Sequence, residues 1–312
     1  MWPENSSFSS KLPTLQVALD STSLGALKKC PRFYELSIVR GWSGRKRSVD
    51  LEFGIWLHSA RELYYRLRAG GAEHEAALLA ALNYAMTETW DKELDRPWQG
   101  DQYKNRFTLA RTLVWYLDQW GNGNDPLETI ILADGKPAVE VSFRFPLGFS
   151  STSTHDEYTL CGHLDRLVQY NGRSWISDLK STKHTLDAHY FSQFTPDNQM
   201  TCYALGGQVT LGEAPSGIII DAVQIGVGFS RFTRGMVMRT SAQIDEWMRG
   251  LRVLLAQAEG YARDNFWPMN EKACFGCAFR GICSHSPQVR ERWLEADFVK
   301  RVWDPLQVRG DI

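Results

Sequence analysis

Apolar positions follow two different periods along this chain, roughly helical before residue 125 and closer to two from residue 136 onward. Val139, Val141, Phe143 and Phe145 alternate with other residues and predict a strand over 138–146. Residues 158–169 and 173–180 predict two further strands. Asn171-Gly172 between them suits a two-residue hairpin turn, where both central residues take positive φ. With that loop Tyr170 faces Arg173, Val168 faces Trp175, Arg166 faces Ser177 and Asp165 faces Asp178. Thr195-Pro196 predicts a helix start, and that helix continues to Ala204 and ends at Gly206-Gly207. Gly217 to Gly228 predicts a strand, Met236 to Arg239 another, and a long helix follows from Ser241.

Upstream, Ser21 or Thr22 caps a helix running into Cys30-Pro31-Arg32-Phe33-Tyr34, broken and restarted at Pro31. Asp50 caps a helix to about Arg68 that Gly70-Gly71 stops. Two more helices are expected near 73–92 and 102–120, the second capped by Asp101. The Ser- and Pro-rich start predicts a flexible arm over 1–20. The chain then divides into a helical section over 21–125, a sheet-bearing core over 126–265, and a cysteine-rich segment and tail over 266–312.

Composition adds exclusions. Lys plus Arg number 35 against 36 acidic residues in 312, so no global basic charge advertises a polyanion and phosphate contacts must be local. The loop Arg40-Gly41-Trp42-Ser43-Gly44-Arg45-Lys46-Arg47-Ser48 is the best such patch, with Arg45, Lys46 and Arg47 at its tip. No apolar run approaches the ~20 residues of a membrane span. The start has neither a basic nor an apolar leader region, so a cytoplasmic location is expected. There is no Gly-x4-Gly-Lys-Ser/Thr phosphate loop, which argues against a fused motor.

The candidate chemistry gathers on the hairpin. Facing carboxylates at Asp165 and Asp178 would lie about 5 Å apart at Cβ, and like charges so placed need a cation between them. Carboxylate and carbonyl oxygens suit Mg²⁺ or Mn²⁺. Lys180, two residues beyond Asp178, projects from the same face, where an ammonium can orient a water or hold charge on a phosphate. The ordinary alternative is a solvent-facing hairpin with a salt-bridged Asp and Lys. His58 and Glu62 lie one helical turn apart, as do Gln199 and Tyr203. Glu140, on the first strand, is a further acidic candidate. Cysteines stand at 30, 161, 202, 274, 277 and 283. Cys274-x2-Cys277-x5-Cys283 has the spacing of a zinc or iron-sulfur site, with His285 a possible fourth ligand for zinc and Cys30 for a cluster. Cys161 and Cys202 are expected as buried small hydrophobes.

Gly162-x-x-Asp165 followed by Asp178-x-Lys180 resembles the PD-(D/E)XK nuclease signature in the form carried by RecB-like exonucleases. The order strand, hairpin, helix, strand agrees with that superfamily's α/β core, a central mixed sheet flanked by helices. Gly54-x3-His58, Gln199-x3-Tyr203 and Cys30-Pro31-x-x-Tyr34 with the distant cysteine triplet extend the resemblance over 21–285, and are similar to the CRISPR-associated RecB-like exonucleases and AddB-type nuclease domains. The resemblance implies a metal-dependent deoxyribonuclease acting on single-stranded DNA ends. In it Asp165, Asp178, His58 and the Leu179 carbonyl hold Mg²⁺ or Mn²⁺, Lys180 positions the attacking water, and Gln199 and Tyr203 line the DNA path. It also implies a 4Fe-4S cluster on Cys30, Cys274, Cys277 and Cys283 that staples 21–285 into one unit, and a helicase, recombination or CRISPR-adaptation partner. Two other readings stay open: an accessory DNA-end-binding subunit, and a zinc-stapled endonuclease of the same fold.

Overall fold

A computed structural model describes residues 7–307. The chain divides into two compact units, one of residues 47–141 and 163–238, the other of residues up to 46, 142–162 and 239–307. No helix among the described residues is long and apolar enough to cross a membrane.

The unit of residues 47–141 and 163–238 is an α/β layer structure. Three helices come first, α1 Val49–Ala69, α2 His74–Glu88 and α3 Arg106–Trp120. Ser48 caps α1 by accepting the Leu51 N–H, so the cap lies two residues before the expected Asp50. Asn105 rather than Asp101 caps α3. Five long strands follow in the chain: β1 Val139–Ser150, β2 Glu157–Tyr170, β3 Arg173–Thr182, β4 Ile218–Ile225 and β5 Ser230–Val237. β3 lies between β2, antiparallel, and β4, parallel, and β5 closes the order antiparallel to β4. The sheet is therefore mixed. β4 is buried at every position, as a strand covered on both faces must be.

Phe53, Leu57, Ala60 and Tyr64 of α1, Ala77 and Ala81 of α2, and Leu109 and Leu113 of α3 pack with Leu179 and Val223 into one apolar cluster. The helix α4 Asn198–Leu211 packs against β3 and β4. Asp197 caps it, and Gly212 ends it at a φ of 74°. The glycine pair expected to stop this helix instead lies within it. A Cβ on Gly207 would stand 2.7 Å from Ile176 Cδ1, so the missing side chain lets helix and sheet approach closely.

The other unit places Cys30 at the break between the helix Ser21–Lys29 and the short helix Pro31–Tyr34. Asp20 caps the first of these with a reciprocal Ser23 bond, in place of the expected Ser21 or Thr22. Residues 7–20 are not a loose arm. Phe8 and Leu15 pack with Leu27, Tyr34 and Trp267, and Ala18–Leu19 pair in parallel with Thr159–Leu160. Residues 1–6 of the expected arm lie outside the described residues. The tail returns to the front of the chain, where Phe298–Lys300 pair antiparallel with Trp42–Gly44.

Candidate active site

The hairpin register is the expected one from Tyr170–Arg173 through Arg166–Ser177, and there the paired ladder stops. Asp165 is not simply the next facing residue. Its Oδ2 accepts the Leu179 N–H at 2.9 Å, so the side chain bonds to the β3 backbone just past Asp178. The expected flat pair of carboxylates is thus replaced by one that caps a strand N–H and one, Asp178, that is fully buried.

His58, in the middle of α1, completes the set. Its Nδ1 lies 3.1 Å from Asp165 Oδ2 and its Nε2 lies 2.8 Å from the Leu179 carbonyl oxygen. Read as hydrogen bonds, these contacts need a proton on each ring nitrogen. Burial alone would lower the His58 pKa, but the charge and hydrogen bond of Asp165 outweigh it and raise it. Glu62, one turn on, accepts a hydrogen bond from Arg66 at 2.9 Å.

Glu140 is the acidic residue whose place the sequence left open. It is 9% exposed, takes a φ of +50°, and offers a ligand atom to the same point as His58 and Asp165, the three mutually within 4.8 Å. A non-glycine residue in the left-handed region costs about 1 kcal/mol or more, and such strain tends to collect at working sites.

Lys180 bonds Asp178 Oδ1 at 3.0 Å, with Oδ2 2.8 Å from the same nitrogen. A second bond runs to Gln199 Oε1 at 2.8 Å, and Gln199 Nε2 in turn donates to the Tyr203 hydroxyl at 3.0 Å. Gln199 therefore holds the lysine. Tyr203 is 7% exposed with its hydroxyl engaged, so its ring does not present a face to a nucleic acid. The one-turn spacing put both on one face, but that face looks into the protein.

Electrostatics separate the two aspartates. Burial would raise Asp165, yet His58, Arg61 and Lys180 together hold it well below the usual carboxylate range. Asp178 goes the other way, raised by burial and then by the charge of Asp165, with Lys180 only partly offsetting them. Burial would lower Lys180, but the charges of Asp178 and Asp165 outweigh it and keep the side chain an ammonium.

The residues fit a hard divalent cation. His58, Glu140 and Asp165 offer ligand atoms that could hold such an ion, and carboxylate oxygens with one imidazole suit it.

Of the basic loop, Arg45 is exposed and also makes backbone contacts. Its guanidinium donates to the Ala296 carbonyl at 2.7 Å and that of Glu295 at 3.4 Å, at the C-terminus of the helix Arg290–Asp297. Lys46 and Arg47 are exposed.

Cys30, Cys274, Cys277 and Cys283 line one cavity together with Lys29 and Arg280. The Asn270 N–H donates to Cys30 Sγ at 3.3 Å. Four thiols facing one cavity could hold a metal centre. His285 stacks on Trp293 and is not among the residues lining that cavity. Cys161 and Cys202 are buried, and burial pushes the Cys161 thiol up to about 12.

A model of the PD-(D/E)XK nuclease superfamily matches residues 21–284. The fold is similar to a crystal structure of a candidate exonuclease from Eubacterium rectale, with a TM-score of 0.50 and 14% identity over 86% of this chain and 89% of that one. A second solved structure, SSO0001, shares 13% identity over 75% of this chain and 94% of its own, and its TM-score of 0.32 is too low to argue from. No curated protein matches the chain.

Proposed function

We propose a substrate and a division of labour for this chain, which belongs to the PD-(D/E)XK nuclease superfamily and is a nuclease: it removes nucleotides from single-stranded DNA ends with Mg²⁺ or Mn²⁺. The observation that carries the reading is the meeting of His58, Glu140 and Asp165 beside the Asp178–Lys180 pair. Asp165, Asp178, Glu140, His58 and the Leu179 carbonyl would hold the ion. When bound it supplies Lewis-acid polarisation of the scissile phosphate and charge for the departing oxygen.

The chain's own residues do the rest. Lys180 is held as an ammonium by two carboxylates, so it positions a water or a phosphate oxygen by donation and does not act as the base in this state. Two of its three N–H groups are spent on Asp178 and Gln199, which leaves one for the reacting group. Gln199 fixes that direction from α4. An accessory subunit without chemistry has no need of this arrangement, which favours the enzyme over the binding-subunit reading.

The test is digestion of end-labelled and circular single-stranded DNA with Mg²⁺ or Mn²⁺, beside a Lys180→Ala control. Loss of label from linear DNA only, abolished in the control, is expected. Cleavage of circles at the same rate would replace the exonuclease with an endonuclease.

The same reading takes Cys30, Cys274, Cys277 and Cys283 as ligands of a 4Fe-4S cluster, supported by the cavity they share. Protein purified without oxygen should be brown with about four iron atoms per chain. Cys30→Ser should bleach it as fully as Cys277→Ser, and Cys161→Ser should not. One zinc in colourless protein would overturn the cluster.

A further inference from the structure

Arg61 lies three residues past His58 on α1 and is 4% exposed. One nitrogen, Nη2, stands 3.4 Å from Asp165 Oδ2, and the other, Nη1, stands 3.4 Å from both Asp221 Oδ2 and the Tyr116 hydroxyl. Asp221, 1% exposed on β4, also receives Tyr116 and Arg234. Arg234 continues to Asp125 Oδ1 at 2.6 Å, and Asp125 Oδ2 receives Arg166 at 3.1 Å. Three arginines thus alternate with three aspartates in a chain of ion pairs. It starts at Asp165 and returns to Arg166, the next residue of β2.

A buried charge chain is weak evidence for stability, since desolvation offsets the attraction. Its geometry is more informative. Asp165 shares its site with Asp178 and Glu140, whose charges would drive its carboxylate away before any cation arrives. The described contacts to Asp165 from the Leu179 N–H, from His58 and from Arg61 all fall on Oδ2. None goes to Oδ1. A planar guanidinium locked on its far side by Asp221 cannot follow a swinging carboxylate, as a lysine ammonium can.

We infer that Arg61 is a positioning residue for Asp165: it pins Oδ2 to the Asp221 chain and so presents Oδ1 to the ion. The inference rests on the metal-site reading above, and its test separates the two. Mn²⁺ binding is measured by the electron paramagnetic resonance signal of free Mn²⁺, with thermal melting alongside. The variants are Arg61→Lys, which keeps a buried cation without the fork, and the double variant Arg61→Gln/Asp221→Asn, which removes one charge of each sign.

Both variants should melt near the wild type and bind Mn²⁺ about 10- to 100-fold more weakly, the usual effect of removing a partner that orients a metal ligand. Wild-type Mn²⁺ affinity in either folded variant overturns the role, and so does failure of both to fold, which would assign Arg61 to the fold alone. Wild-type protein that binds no Mn²⁺ would instead remove the metal-site reading itself.

Discussion

Neutralising the two aspartates should have opposite effects on the metal-free protein, although both changes should abolish cleavage. In Asp165→Asn the Arg61 guanidinium and the His58 ring lose their shared anion in a buried setting. Removing one partner of a buried pair costs about 3–5 kcal/mol, and at about 2 °C per kcal/mol for a chain this long the melting point should fall by roughly 6–10 °C. Asp178→Asn removes a charge that burial and Asp165 already disfavour, while Lys180 keeps Gln199 and is 26% exposed to water. Its stability should stay within about 1 kcal/mol of the wild type, a melting shift of about 2 °C, or rise. The pH dependence has two signs. The depressed Asp165 contributes stability that is present above the unfolded value near 3.9 and lost as pH falls. The raised Asp178 favours the fold below that value, and that contribution is lost as pH rises toward its folded pKa. Melting in EDTA across pH 2.5 to 7.5 reads both: from pH 7.5 down to pH 4 the gap between the two variants should narrow through Asp178 alone, and below pH 4 it should narrow further as Asp165 is protonated. Equal losses at pH 7.5, or a larger loss in Asp178→Asn, would refute this account of the site's charges.

Gln199→Ala should lower kcat about tenfold or more with little change in KM, because it frees Lys180 without touching the strand; an effect on KM alone would return Gln199 to a DNA contact. The metal concentration for half activity should fall as pH rises through the raised His58 pKa, since the ion competes with a ring proton, and metal titrations at several pH values measure it. Arg45→Ala should cost about 0.5–1 kcal/mol of stability through the helix terminus it serves and leave the salt dependence of DNA binding unchanged. Lys46→Ala or Arg47→Ala should reduce that slope by about 0.7 for single strands if they meet phosphates.

The hairpin was legible in the sequence because its turn is local: Asn171-Gly172 sets the register by the φ angles it permits, and the pairs from Tyr170–Arg173 to Arg166–Ser177 follow from it. Strand and helix order was legible for the same kind of reason. Helix ends were read less well where two meanings share one residue type, as at Gly206-Gly207, whose role is close approach to Ile176. Arg61, Asp221 and Asp125 gave no signal. They lie 160 residues apart at the extreme and meet only when α1 is laid across β4, which no local pattern encodes. Glu140 was visible as an acid but not as part of the site, since its direction depends on a left-handed backbone that a strand pattern does not predict. Tyr203 shows the opposite failure, a correct helical face assigned to the wrong side of the protein.

Leu179 gives its N–H to Asp165 and its carbonyl to His58, while its side chain sits in the apolar cluster behind the sheet. Mutagenesis reads side chains only, so a scan across this position would register a core residue and nothing else. Its two backbone contacts are invisible to substitution and to residue identity alike. Only replacing the peptide link itself would expose it. An ester in place of the Leu179 amide would delete the donor to Asp165 yet leave every side chain of the protein unchanged.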